Sequence, residues 1–278
     1  MALKDTLEWA RTEWGILTEA DHMSLVERAE WLAQWVPFGA KTIGYGTISV
    51  VLGPLTREHE ASLWAMRSWC RTGVKQLGVA ARAYGVENAP HEGGFVYAAN
   101  HQSLLDILVL GALLEGDFKW VAKRSLMKIP FLGWHLKLAG HVPVDRTGGR
   151  RAAAESIERF REVLVAGKPL LMFPEGTRSL DGAVGEFKTG GFHAAVRAGC
   201  PIVPVGIDGT GELMKKGAAD AGRAKHRKLF PIAVCVGEPL HPDKALKEKD
   251  RVAELRDRSF EAVCALRGKA ERLRLESA

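Results

Sequence analysis

The sequence predicts an α/β protein, with a mostly parallel central sheet flanked by helices and an N-terminal helical segment that associates with a membrane surface. Three observations point there. From about Gly78 onward, short apolar runs alternate with segments of helical period, the pattern of βα units whose strands lie parallel. Charged clusters recur just after several of those runs, and parallel strands gather such positions on one edge. Six of the eight tryptophans (Trp9, Trp14, Trp31, Trp35, Trp64 and Trp69) precede residue 78. Indole rings suit either a core or a membrane–water interface.

The chain thus divides into residues 1–78, helical and tryptophan-rich, and residues 79–278. In the first part, 60–77 reads as a helix with Leu63, Met66, Cys70, Val74 and Leu77 on one face and Arg67, Arg71 and Lys75 on the other. Such a helix suits a membrane surface or the flank of the main domain, and the pattern leans to the flank. The longest weakly charged stretch, 31–55, is interrupted by Pro37, Gly39, Lys41, Gly44, Gly46, Gly53 and Pro54. Its apolar part, 43–52, is far short of the roughly 20 residues a spanning helix needs, so no transmembrane span is expected. The opening residues carry no apolar signal-peptide core, and export is not expected either.

In the second part, strand 79–84 leads through a turn at Asn88-Ala89-Pro90 to strand 95–99 and helix 104–114. Strand 118–122 follows, then a helical stretch over 125–138 broken at Pro130, then strand 141–144. Helix 151–166 turns Ile157, Phe160 and Leu164 inward and stops at Gly167 and Pro169. Strand 169–173, helix 190–198 and strands 202–207 and 230–236 come next. The last forty residues read as a charged helix with Val252, Leu255, Val263 and Leu266 as its buried stripe.

Hydrophobic content of 46% and charged content of 26% are ordinary for a chain with a substantial core. A net charge of +6 suits anionic small substrates, an anionic membrane or nucleic acid, without choosing among them. Cys70, Cys200, Cys235 and Cys264 are scattered, with no spacing for zinc or redox work, and read as reduced thiols of a cytoplasmic protein.

The chemistry centres on Asn100-His101-Gln102-Ser103-Leu104-Leu105-Asp106. A histidine at a strand-to-helix turn, with an acid one helical turn on, has the makings of a general base and its orienting group. Ser103 followed by Asp106 is equally a capping-box pattern, in which Asp106 only satisfies backbone N–H groups. The two readings are compatible if His101 precedes the helix and Asp106 lies in its first turn. Lys123 and Arg124, Asp145 and Arg146, and Glu175-Gly176-Thr177-Arg178 follow other strands on the same edge. Each alone is an ordinary solvated loop; together they suggest a base, its partner and a cationic pocket for an anionic group. Arg146 and Arg178 suit phosphate, which guanidinium grips bidentately. Glu175 suits a hydroxylated substrate or an ion pair with Arg178, and Gly176 a backbone geometry that a side chain would block. The basic loop from Lys215 to Lys228 reads as solvated or headgroup-facing. Nucleophile-elbow, Walker-type, dinucleotide and metal-ligand patterns are all missing, so the residues read as a cofactor-free acid–base enzyme with no metal.

Four segments in order resemble the motifs of the glycerophospholipid acyltransferases: Asn-His-Gln-Ser-Leu-Leu-Asp (100–106), Val-Pro-Val-Asp-Arg (142–146), Phe-Pro-Glu-Gly-Thr-Arg-Ser (173–179) and Ile-Val-Pro-Val-Gly-Ile (202–207). The closest branch is 1-acyl-sn-glycerol-3-phosphate acyltransferase, and the similarity runs from about residue 85 to 240. Phe187-Lys188-Thr189-Gly190-Gly191 is also similar to the segment after the third motif. Pro143 departs from the aromatic or aliphatic residue commoner there, and the first forty residues carry no part of the resemblance.

The resemblance implies that residues 79–278 form the acyltransferase domain. It implies His101 as the base that deprotonates an acceptor hydroxyl and Asp106 as the holder of its imidazole. The hydroxyl would attack an acyl thioester of coenzyme A or acyl carrier protein, a co-substrate rather than a cofactor. Arg146, Glu175, Gly176 and Arg178, with Lys123 and Thr177 beside them, would bind the glycerol phosphate, and Pro204 would shape the acyl or acceptor side. The implied product is phosphatidic acid made from lysophosphatidic acid. The N-terminal part would hold the site against membrane lipids, on the cytoplasmic face, as a peripheral or monotopic protein with no nucleic-acid partner. Glycerol-3-phosphate or another lysolipid is the alternative acceptor. A non-catalytic basic domain binding membrane or nucleic acid is the alternative of another class, against which the His–Asp pair counts, since phosphate binding needs neither.

Overall fold

A computed structural model describes residues 24–145, 148–214 and 229–277. Seven strands, β1 (Val79–Tyr84), β2 (Val96–Ala99), β3 (Lys119–Lys123), β4 (Val142–Val144), β5 (Leu170–Met172), β6 (Ile202–Asp208) and β7 (Phe230–Val236), form one sheet. Their order is β1-β7-β6-β2-β5-β3-β4. Every pairing is parallel except that of β6 with β7. The predicted mostly parallel sheet is the one that forms.

Both faces of the sheet are covered, which is why its strands are continuous apolar runs and not alternating ones. Along β2, Tyr97 and Ala99 point into one core while Val96 and Ala98 point into another. Helices α1 (Leu25–Leu52), α2 (Glu60–Gln76) and α3 (Leu105–Leu113) supply the first core with Phe38, Met66, Cys70, Leu108 and Leu110. Across the sheet, α5 (Gly149–Val165), α6 (Gly190–Ala198) and α8 (Glu248–Glu276) contribute Phe160, Leu164, Phe192, Leu255 and Val263. The stretch expected to break at Pro130 does so, as a 3-10 turn over Arg124–Lys128 followed by the short helix α4 (Leu132–Leu138).

Helix α1 runs unbroken through Pro37, Gly39, Gly44 and Gly46. Packing overrides local propensity here: Phe38, buried to 5% exposure, stacks edge-on with Trp35 and tilts against Trp69. Helix α2 takes the domain-flank course of its two expected ones. Met66 and Cys70 are core residues, with Leu63, Val74 and Leu77 packed around them. Part of its basic face is also used internally, since Arg67 donates to the carbonyls of Leu114 and Gly116 beyond the end of α3. Among the described residues no helix is long and apolar enough to cross a membrane. Trp9, Trp14, Arg146 and the basic loop over 215–228 lie outside the described residues.

Candidate active site

Residues 100–104 form the turn between β2 and α3, placing His101 ahead of the helix and Asp106 within its first turn. The Asp106 carboxylate is fully buried, and its Oδ2 accepts from His101 Nδ1 at 2.7 Å. The same oxygen accepts from the backbone N–H of Gln102 (2.8 Å) and of Ser103 (2.9 Å). The contacts expected of a cap and of a partner to His101 are therefore made by one oxygen. The carboxylate reaches back to the N–H of Ser103 as in a capping box, and that reach brings it onto the imidazole. Ser103 departs from the box. Its Oγ accepts from the Leu105 N–H at 3.3 Å and donates to the Met214 carbonyl at 2.8 Å. With the Asp106 carboxylate accepting at Nδ1, the neutral ring takes the tautomer whose acceptor is Nε2.

The segment Phe173–Ser179, following β5, is fastened to His101 in three ways. Glu175 Oε1 accepts the His101 backbone N–H at 2.8 Å, and the Ser179 N–H donates to the His101 carbonyl at 2.7 Å. The Phe173 ring stacks on the imidazole, centroids 3.9 Å apart and 11° from parallel. Parallel pairing of β2 with β5 sets this up by bringing the two strand exits side by side. Glu175 Oε2 accepts from the Gly185 N–H at 3.0 Å, so each carboxylate oxygen takes a backbone donor. Burial pushes the Glu175 carboxyl up from 4.5 to about 7; the two N–H donors oppose this and the nearby Asp106 charge adds to it. Gly176 has φ +71°, the left-handed backbone geometry for which glycine was expected there.

His101 opens onto a cavity of about 470 Å³ between the sheet and helices α1 to α4. Its walls are apolar, with Phe38, Met66, Trp69, Leu108, Trp120 and Leu136 among them. His135 also lines it, its Nδ1 2.6 Å from Ser49 Oγ. Burial, aided by Lys119, pushes that imidazole down to about 4, so this wall is uncharged at neutral pH. Lys123, Thr177 and Arg178 share the cavity with His101. The strand exits of β2, β3 and β5 thus converge as the edge argument expected, and Arg146 lies outside the described residues. Glu175 and Gly176 stand behind His101 instead of in the lining. Pro204, on β6, is turned away from the cavity: its ring packs against Gly237, where a Cβ would stand only 3.0 Å from Pro204 Cγ.

Sequence reasoning passed over Phe173 as a stacking partner and Thr210 as a donor to Asp106 Oδ1. Thr210 opens the short helix α7 (Thr210–Leu213) just beyond the carboxyl end of β6, so the rule that located the other clusters reaches it too.

His101 with Asp106 at its Nδ1, facing an apolar cavity that also holds Lys123 and Arg178, is an arrangement suited to acid–base chemistry on an amphiphilic anion. The acyltransferase family model matches residues 80–208, a stretch containing every site residue from His101 to Pro204. Over 240 residues the chain is 30% identical to the 1-acyl-sn-glycerol-3-phosphate acyltransferase of Pseudomonas aeruginosa, covering 84% of this chain and 90% of that relative. The chain belongs to this acyltransferase family. It is also 41% identical over 163 residues to the Chlamydomonas reinhardtii protein of the same description, covering 58% of this chain and 46% of the relative. The chain spans about half the length of the algal and plant relatives it matches. The crystal structure of the 1-acyl-sn-glycerophosphate (LPA) acyltransferase from Thermotoga maritima superposes with a TM-score of 0.68 at 28% identity, covering 84% of this chain and 94% of that one.

Proposed function

We propose that the protein transfers an acyl chain from an acyl thioester, of coenzyme A or acyl carrier protein, to the free hydroxyl of lysophosphatidic acid, forming phosphatidic acid. The observation that carries this reading is His101, held at Nδ1 by buried Asp106 and opening onto an apolar cavity shared with Lys123 and Arg178. His101 Nε2 takes the proton of the acceptor hydroxyl as its oxygen attacks the thioester carbon. The tetrahedral intermediate collapses with cleavage of the C–S bond, and the departing thiolate recovers the proton from the imidazolium. Asp106 holds the tautomer and offsets the transient positive charge. Lys123, Thr177 and Arg178 receive the phosphate, and Arg146 is assigned to it from the sequence resemblance alone. The acyl chain lies along the apolar walls. No cofactor or metal enters this scheme.

The relatives described as 1-acyl-sn-glycerol-3-phosphate acyltransferases favour lysophosphatidic acid over other acceptors. We also assign the protein to the cytoplasmic face of the membrane, peripheral or monotopic, with the N-terminal helices in contact with lipid. The test is purified protein with labelled acyl-CoA and a panel of lysolipids and glycerol-3-phosphate, products resolved by chromatography. Wild type labels phosphatidic acid, and His101→Ala lowers the rate at least about a thousandfold with an unchanged circular dichroism spectrum. Full activity in His101→Ala removes the base from the scheme.

A further inference from the structure

Asp106 Oδ2 is crowded with three donors, whereas the donor at Oδ1 is the hydroxyl of Thr210. We propose, on the acyl-transfer reading above, that Thr210 is a positioning residue that locks the Asp106 carboxylate in the rotation that serves His101. The terminal torsion of an aspartate is broad, and rotation about its Cβ–Cγ bond moves both oxygens together. A buried Oδ1 without a donor would favour any rotation that found it one, and the Thr210 hydroxyl satisfies it in the rotation that keeps Oδ2 on His101. The Thr210 hydroxyl has one proton and two neighbouring acceptors. The Gln102 Oε1 is 3.4 Å away and uncharged, so the closer, charged Asp106 Oδ1 takes it. Asp106 and Thr210 are both fully buried, which strengthens the bond between them.

Thr210 is itself anchored from the far side of the molecule. Two residues earlier, Asp208 ends β6 at 3% exposure and is gripped by Arg274 of α8 at 2.7 Å and by Arg267 at 3.1 Å. Arg274 also pairs with Glu212, just past Thr210. Between them Gly209, at φ +101°, turns the chain back toward Asp106. A Cβ there would stand 2.6 Å from Arg274 Cδ and 2.9 Å from the Pro231 carbonyl, so the turn closes only with glycine. The C-terminal helix thereby fixes the strand end, the strand end fixes Thr210, and Thr210 fixes the acid.

Thr210→Val keeps the shape and removes the hydroxyl, and Thr210→Ser keeps the hydroxyl. With oleoyl-CoA and lysophosphatidic acid, Thr210→Val is expected to lower kcat about 10- to 100-fold with both KM values within about twofold, the scale of one hydrogen bond to a charged group. Thr210→Ser is expected to recover most of that loss, which a purely steric role does not explain. A second readout needs no substrate: the low-field proton resonance of the His101–Asp106 bond, identified by its disappearance in His101→Ala. It should move in Thr210→Val and return in Thr210→Ser. Should Thr210→Val not fold, Thr210→Ala carries the same expectations. Wild-type kcat and an unmoved resonance in Thr210→Val overturn the proposal. If wild type transfers no acyl group while the resonance still follows the Thr210 hydroxyl, the acyl-transfer reading fails and the placement of Thr210 stands.

Discussion

Asp106 shows how a residue's two readings merge. The sequence offered a cap or a catalytic partner, and one carboxylate oxygen serves the Ser103 N–H and the His101 ring together. That much was legible because the donors lie within five residues. Glu175 was not, since its donors are reached across 74 and 10 residues, by strand pairing and by the return of the Gly185 loop. Instead of facing a substrate, it holds the backbone of the proposed base. Its raised carboxyl also predicts a pH signature. Between about 4.5 and 7 the folded chain keeps a proton there that the unfolded chain releases, so this contribution to stability is present in acid and lost as pH rises through about 7. The melting temperature of wild type relative to Glu175→Gln is therefore expected to fall from pH 4.5 to pH 8. A difference that stays flat with pH would show that Glu175 does not titrate there.

Among the elements, periodicity located most strands and helices because two buried sheet faces leave an apolar run no alternative. The stripe read in the final helix, Val252, Leu255, Val263 and Leu266, is the one that packs: the first three are core residues and Leu266 lies partly buried beside Ala270. Leu255→Ala in α8 is accordingly expected to cost about 2–5 kcal/mol, read as a lower melting temperature and denaturant midpoint. A loss below about 1 kcal/mol would mean that the C-terminal helix is not integral to the core. Propensity failed in α1, where Pro37 and three glycines pointed to interruptions. Contacts that no local pattern carries, such as Phe38 against Trp69 and Ser49 against His135, hold that helix together.

On the scale of the molecule, α1 carries Leu25, Leu32, Val36 and Ile43 exposed by half or more. Spacings of seven, four and seven residues set them on one stripe of the helix, while Phe38 reaches the core. An apolar stripe left uncovered fits the proposed contact with lipid. Leu32→Glu with Ile43→Glu should lower partitioning onto phospholipid vesicles at least tenfold without altering the fold, given roughly 1.5–3 kcal/mol per buried aliphatic side chain. Unchanged sedimentation with vesicles would shift the anchor elsewhere. Point changes are the cleaner test because α2 supplies Met66 and Cys70 to the main core, and deleting the N-terminal part would open it.

The pairing of β1 with β7 has a consequence for how the molecule is made. Val79 lies opposite Phe230, about 150 residues later, so the first strand has no partner until nearly the whole sheet has been synthesised. At about 5–20 residues per second, that wait lasts on the order of 10–30 s during translation. During it, α1 with its apolar stripe precedes the finished scaffold against which it packs. Arg274 comes later still, so the strand end that carries Thr210 gains this support only after β7 has been made. The nascent protein thus offers its apolar helix to its surroundings well before it has working chemistry.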